Sequence, residues 1–176
     1  MTNLPVPNPR TAVAGEFETA AYFNMFRDAV NFLANKPMAE VYQAASQSIP
    51  NGAFTAITMD STILDTNGQH SNTTNNSRFT CQVAGWYSVS GGIGFLTNAT
   101  GARGAVIYKN GAALSQSTGT ITAASPAIHV ATAGDFLVQL AVGDYVELFG
   151  FQSSGGALGT AGSGYYPYLY VRWDHA

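Results

Sequence analysis

A chain of 176 residues is long enough for one domain with a full core and an appendage. Only 10% of the residues are charged and the net charge is −3, which excludes a broad basic footprint for nucleic acid. No apolar run approaches the roughly 18 residues that cross a membrane, and the single cysteine, Cys81, excludes an intrachain disulfide.

The chain divides at Pro37, into an N-terminal segment 1–37 and a β domain 38–176. Residues 4–9, LPVPNP, predict an extended arm, because each Pro fixes φ and removes a donor. The opening MTNLPVPNPR lacks the basic-then-apolar pattern of an export signal, which predicts a protein made and kept in the cytoplasm of its producing cell. Beyond the arm, Tyr22, Phe23, Phe26, Ala29, Val30 and Leu33 step by three and four, the spacing of one short α-helix of roughly 16 residues. Thr19 is the expected N-cap, Glu16 and Glu18 suit the positive end, and Lys36-Pro37 closes the segment. No second helix is predicted to cover the stripe. Tyr22, Phe23, Phe26, Val30 and Leu33 therefore either pack on the base of their own β domain or attach to copies of the chain or to a larger assembly.

From residue 39 the pattern is strand throughout, at about 39–46, 53–59, 78–83, 86–95, 103–108, 112–118, 127–131, 135–140, 144–151 and 165–173. Asn51-Gly52, Asn67-Gly68 and Asn110-Gly111 are turn dipeptides, and YKNGAAL reads as a hairpin with a type I′ turn. Ten short strands without interposed helices predict a mainly β, antiparallel sandwich of jelly-roll type. From Phe79 to Phe95 every odd position is apolar or Gly, and the even ones are mostly small or polar, except Trp86 beside Gly85. Ser153–Gly164, SSGGALGTAGSG, is expected to be a flexible loop. In the closing GYYPYLYVRW, Tyr165, Pro167, Leu169, Val171 and Trp173 alternate with Tyr166, Tyr168, Tyr170 and Arg172. Aromatics fall on both faces, so one face fills the core and the other needs a cover, from a symmetry-related copy or from the same chain.

The sequence carries no sign of chemistry. His70, His129 and His175 are scattered, without zinc-ligand spacing, and the nucleophile-elbow, phosphate-loop and metalloprotease motifs are absent. Asp65-Thr66-Asn67-Gly68 starts like a calcium loop but lacks the later acid and reads as a turn. Asp144 after Gly143 also reads as turn chemistry; Asp135, Glu147 and Arg172 are candidates for ion pairs. Cys81, in the apolar phase, reads as a buried thiol and His129 as a satisfied surface or interface histidine. No catalytic residue, cofactor or metal site is predicted.

Three segments together resemble the C1q/TNF-like jelly roll. RFTCQVAGWYSVSGGIGF places Phe79, Val83, Gly85 and Tyr87 on a family signature, AVIYKNG resembles its hairpin, and FLVQLAVGDYVELFGF matches a strand pair through Leu137 or Val138, Leu140, Gly143, Asp144, Val146 and Leu148. The resemblance spans about residues 38–174 and implies a compact homotrimer with aromatics near the threefold axis, making Trp86, Tyr166, Tyr168 and Tyr170 interface candidates. It also implies that Gly85 turns a corner between two short strands of shared inward phase, with Trp86 at the rim or a subunit contact. The collagen-like stalk of C1q proteins is absent.

The N-terminal segment resembles an attachment module of bacteriophage virion proteins, especially of phages of actinobacteria, through Val13, Gly15, Glu16, Thr19, Ala20, Asn24, Arg27, Asp28, Ala29, Phe32 and Leu33. It implies a non-enzymatic virion structural protein, made in the host bacterial cytoplasm, whose arm and helix meet major capsid or tail proteins while the jelly roll projects as a capsid decoration. The alternative it leaves is a minor tail protein or tail-fibre-type adhesin for a host-surface glycan or protein. Aromatics on apical loops would favour the adhesin, but the loops expected there, 66–77 and 153–164, are poor in them.

Overall fold

The computed structural model describes residues 19–122 and 127–176; the expected arm, together with Glu16 and Glu18, lies outside them. The helix α1 runs Ala20–Ala34, and the Thr19 side chain accepts the Tyr22 N–H at its start. Strands follow as β1 (Met38–Tyr42), β2 (Ser48–Ile49), β3 (Thr55–Ala56), β4 (Ser61–Asp65), β5 (Arg78–Thr80), β6 (Gly85–Phe95), β7 (Ala102–Lys109), β8 (Ala112–Ala113), β9 (Gly119–Thr122), β10 (His129–Leu140), β11 (Tyr145–Gln152), β12 (Leu158–Gly159) and β13 (Tyr168–His175).

Two antiparallel sheets face each other. One has the order β10-β6-β13-β1-β4; the other is built on β3-β11-β7-β8, with β5 also on β11 and β9 also on β7. Their inner faces supply one core, in which Tyr87, Val89, Ile93 and Phe95 of β6 meet Ile107 of β7, Leu148 of β11, and Leu169 and Val171 of β13. The inward phase runs unbroken from Phe79 through Cys81 and Val83 to Tyr87, all buried, so the alternation is two strands joined at a corner. Gly85 sits at that corner because a Cβ there would lie 2.3 Å from the Trp173 indole nitrogen. At the other predicted turn, Asn110 and Gly111 both have positive φ, as a type I′ hairpin requires.

Several elements differ from expectation, each for a local reason. The strands expected at 127–131 and 135–140 are one, β10, whose pairing with β6 is irregular between Ala133 and Phe136. β4 was not predicted because STILD is an edge strand without a consistently buried phase. The strand expected at 112–118 stops after two residues and becomes a short 3-10 turn, Ser115–Ser117, whose Ser117 hydroxyl is taken up by the backbone of Leu114 and Ile107. The segment 153–164 is not a free loop: β12 pairs with β2, and Leu158, Thr160 and Ala161 are buried. Thr160 joins Gln43, Gln47 and Thr58 in a hydrogen-bonded cluster that a polar sequence conceals.

Candidate interaction surface

The outward phase of β13 sets one side of the five-stranded sheet. Register places Tyr42 and Gly92 on either side of Tyr168, Glu40 and Ser90 on either side of Tyr170, and Ser88 beside Arg172. Beyond β6, Val130 and Leu137 of β10 stand exposed opposite Gly94 and Ser88. Beyond Trp86 the even positions of β6 are small, at Gly92 for a physical reason: a Cβ there would come within 2.7 Å of the Tyr168 ring, so the glycine lets that ring lie against the sheet.

At the β1–β4 side an open groove of about 420 Å³ is lined by Glu40, Tyr42, Ile63, Gly164, Tyr166 and Tyr168. The rings of Tyr42 and Tyr166 meet with centroids 5.5 Å apart. Tyr166 and Tyr168 therefore come together as the sequence suggested, with Tyr170 half-buried on the same face. Trp86 does not join them. It lies at the other end of β6, stacked on His175 at 6.0 Å. Sequence reasoning missed Tyr42, Ile63, Val130 and Leu137; the shared phase of Glu40 and Tyr42 was the one available signal.

The helix is seated at one point. Phe32 is buried edge-on against Trp173, ring centroids 4.9 Å apart, and Lys36 reaches over the same indole. The attachment candidates face away: Phe23, Phe26, Val30 and Leu33 are 60%, 52%, 56% and 61% exposed, and Tyr22 touches Phe23 and Phe26. Phe32 is not part of the stripe, and Phe23, Phe26, Val30 and Leu33 are not laid on the β domain.

The two ends of the sandwich differ. The segments 43–50, 96–101 and 153–167, following Tyr42, Phe95 and Gln152, gather at the end opposite Trp173 and contain no charged residue. Beneath them Arg103 is fully buried, its guanidinium donating to the carbonyls of Asn98, Thr100 and Ala102. The segment 66–77 starts beside the helix end instead, where Thr66 bonds Lys36 and Met38, so it is not at the far end with 153–164.

Polar candidates resolve as structure. The Asp65 carboxylate accepts backbone N–H groups from Asn67, Gln69 and His70, the bonding of a turn. Glu147 pairs with Arg78 at 3.1 Å and accepts from Ser77, and Asp135 accepts from the Ser88 hydroxyl, so neither pairs with Arg172. His129 faces the Ala127 carbonyl. Burial raises the Cys81 thiol above its ordinary value, consistent with an unreactive core position.

Asp144 is held down to about 2, first by the backbone at Ala141, then by Asn110 and Lys109, which bond it at 2.8 and 2.9 Å. A folded value below the ordinary 3.8 stabilises the protein above that pH, and the contribution disappears as pH falls through about 2. Asp144→Asn is expected to cost about 1–2 kcal/mol near neutrality and to flatten the acid limb between about pH 4 and 2. Urea titrations of both chains across that range check this; parallel acid limbs would remove Asp144 from the account.

No protein-family model matches the chain, and no curated protein matches it in sequence. Solved structures match it in fold. The globular domain of zebrafish complement 1qA protein is 16% identical, with a TM-score of 0.54 over 77% of this chain and 95% of that one. Murine APRIL is 12% identical, with a TM-score of 0.59 over 78% and 98%. Eiger TNF from S. frugiperda is 10% identical, with a TM-score of 0.57 over 80% and 96%. A helix of fifteen residues stands before a β sandwich that this chain shares with all three: the fold is the C1q/TNF-like jelly roll.

Proposed function

We propose that the chain is a trimeric, non-enzymatic structural protein on the surface of a bacteriophage particle, held by its N-terminal segment with the jelly roll outward, as a capsid decoration. The observation that carries self-association is the uncovered face of the five-stranded sheet, where Tyr42, Tyr166 and Tyr168 stand at one side and Val130 and Leu137 at the other. Two unlike apolar patches on one face suit a head-to-tail contact that closes into a ring. The fold likeness supports this, since C1q/TNF-like domains are known as compact trimers. The virion role rests on the likeness of residues 13–33 to phage attachment modules. A surface with few charges also suits a protein that buries much of itself in an assembly.

Electron-microscopic images of particles with and without the protein, together with its mass in solution, test the proposal. Density lost from the capsid and a mass near three chains is the expected result. A monomeric mass with no lost density overturns it, and density lost at the tail selects the appendage. The second reading, an adhesin, draws on the tyrosine groove, since ring faces and the Glu40 carboxylate suit a glycan. Gly164 and Tyr166 bring the far-end segment 153–167 to the rim of the groove; the likeness of residues 13–33 to attachment modules is what puts decoration first.

A further inference from the structure

We infer that Asn67 is a site of spontaneous self-modification, where the folded chain converts its own asparagine into aspartate and isoaspartate. The inference is independent of the virion and trimer readings.

Three Asn-Gly pairs occur in the chain, at Asn51, Asn67 and Asn110. Glycine leaves the following amide nitrogen unshielded, so at each pair that nitrogen can close on the side-chain carbonyl carbon. Local sequence makes the three alike; the fold separates them. At Asn110 both ends of the side-chain amide are tied: Nδ2 donates to Asp144 at 2.8 Å and Oδ1 accepts the Tyr145 N–H at 2.9 Å. At Asn51 the Oδ1 accepts the Gly155 N–H at 2.8 Å, and the attacking group is itself engaged, the Gly52 N–H donating to the Gln152 carbonyl at 2.8 Å. Neither side chain can turn on its own glycine without breaking those bonds. Nothing comparable holds Asn67. Among the described residues its side chain makes no hydrogen bond, nor does the Gly68 N–H, and a Cβ at Gly68 would meet nothing within 4 Å.

The reaction needs only water. The Gly68 nitrogen bonds to Asn67 Cγ, the Cγ–Nδ2 bond breaks, and ammonia leaves with the proton of the Gly68 N–H, giving a cyclic imide. Water then opens the imide. Opening at Cγ gives aspartate; opening at the backbone carbonyl gives isoaspartate, with one more methylene in the main chain. Either product adds a negative charge to a chain of net charge −3. Isoaspartate also lengthens the path from the Asn67 N–H, held by Asp65, to the Gly68 carbonyl, held by the Gln82 side chain at 2.7 Å. The strained turn adjoins Thr66, whose hydroxyl ties Lys36 and Met38 at the junction of α1 and β1. The pair therefore acts as a slow clock of the folded chain's age.

Peptide mapping of the full chain, aged in warm and mildly alkaline buffer, reads the three pairs side by side, with enzymatic methylation of isoaspartate as the second readout. A sample aged in urea keeps the sequence and removes the fold. The expected result in the folded chain is conversion at Asn67 at least tenfold faster than at Asn51 or Asn110, whose tied side chains must wait for local opening. In urea the three rates are expected to converge. Equal conversion at all three sites in the folded chain, or none at Asn67, overturns the inference. The same ranking in urea overturns it too, since the difference would then lie in the neighbours along the chain.

Discussion

Trp173→Ala is expected to lose about 3–5 kcal/mol of stability, and with it the docking of the helix. Trp173 is 5% exposed and does three things at once. Its ring closes the core at the corner where Gly85 is cut away to admit it. Its indole N–H donates to the Ala84 carbonyl at 3.2 Å, and its ring meets Phe32. Truncation opens a cavity that the corner cannot collapse into, leaves the carbonyl without its donor and removes the seat of α1. For a domain whose whole stability is of order 5–15 kcal/mol the loss is large. Phe32→Ala separates the effects: it should loosen the helix while costing the sandwich less. Urea unfolding followed by sheet fluorescence and by helical ellipticity distinguishes the two. If Phe32→Ala matches Trp173→Ala by both probes, the indole is no more than a helix contact and the corner argument is wrong.

The second large effect is on assembly. Tyr168→Glu is expected to shift the solution mass from about three chains to one without lowering the unfolding midpoint of the isolated subunit appreciably. Tyr168 is 38% exposed on the outer face, so the substitution leaves the core untouched. A carboxylate among Tyr42, Tyr166 and Glu40 would have to be buried uncompensated on association, at a cost of several kcal/mol. Light scattering reads the mass directly. Retention of the three-chain mass in Tyr168→Glu and in Tyr166→Glu alike would move the contact off this face.

The parts of the fold legible in the sequence are those where one phase is buried and the other is not. β13 shows this apart from its start: Tyr165 falls in the inward phase but is exposed, since the strand begins only at Tyr168; β6 is buried on both phases and is legible because Tyr87, Val89, Ile93 and Phe95 hold one phase while Ser88, Ser90, Gly92 and Gly94 hold the other. The helix was legible through its period and Thr19, although the residue that seats it, Phe32, lies outside the stripe read as attachment. Edge and two-residue strands escaped, because β4 has no dry face and β12 shows a single large apolar residue, Leu158, among glycines and hydroxyls. The interaction face was half legible. The tyrosines of β13 announce it through their doubled phase, but Val130 and Leu137 join them only through register across the sheet, and Ile63 only at an irregularity in the β1–β4 pairing, which no local pattern encodes.

The absence of charge from 43–50, 96–101 and 153–167 governs how a coated object would behave as a colloid. Helix end inward, each subunit would offer its surroundings mostly amides, hydroxyls and glycine backbone, with the Leu96 and Tyr165 side chains and one carboxylate, Asp60, held on the Ala44 and Ala45 N–H groups. Attraction or repulsion between such objects through these ends would then vary little with ionic strength, unlike that between charged shells, whose reach follows the Debye length. The coat would make neighbouring particles electrostatically indifferent to one another.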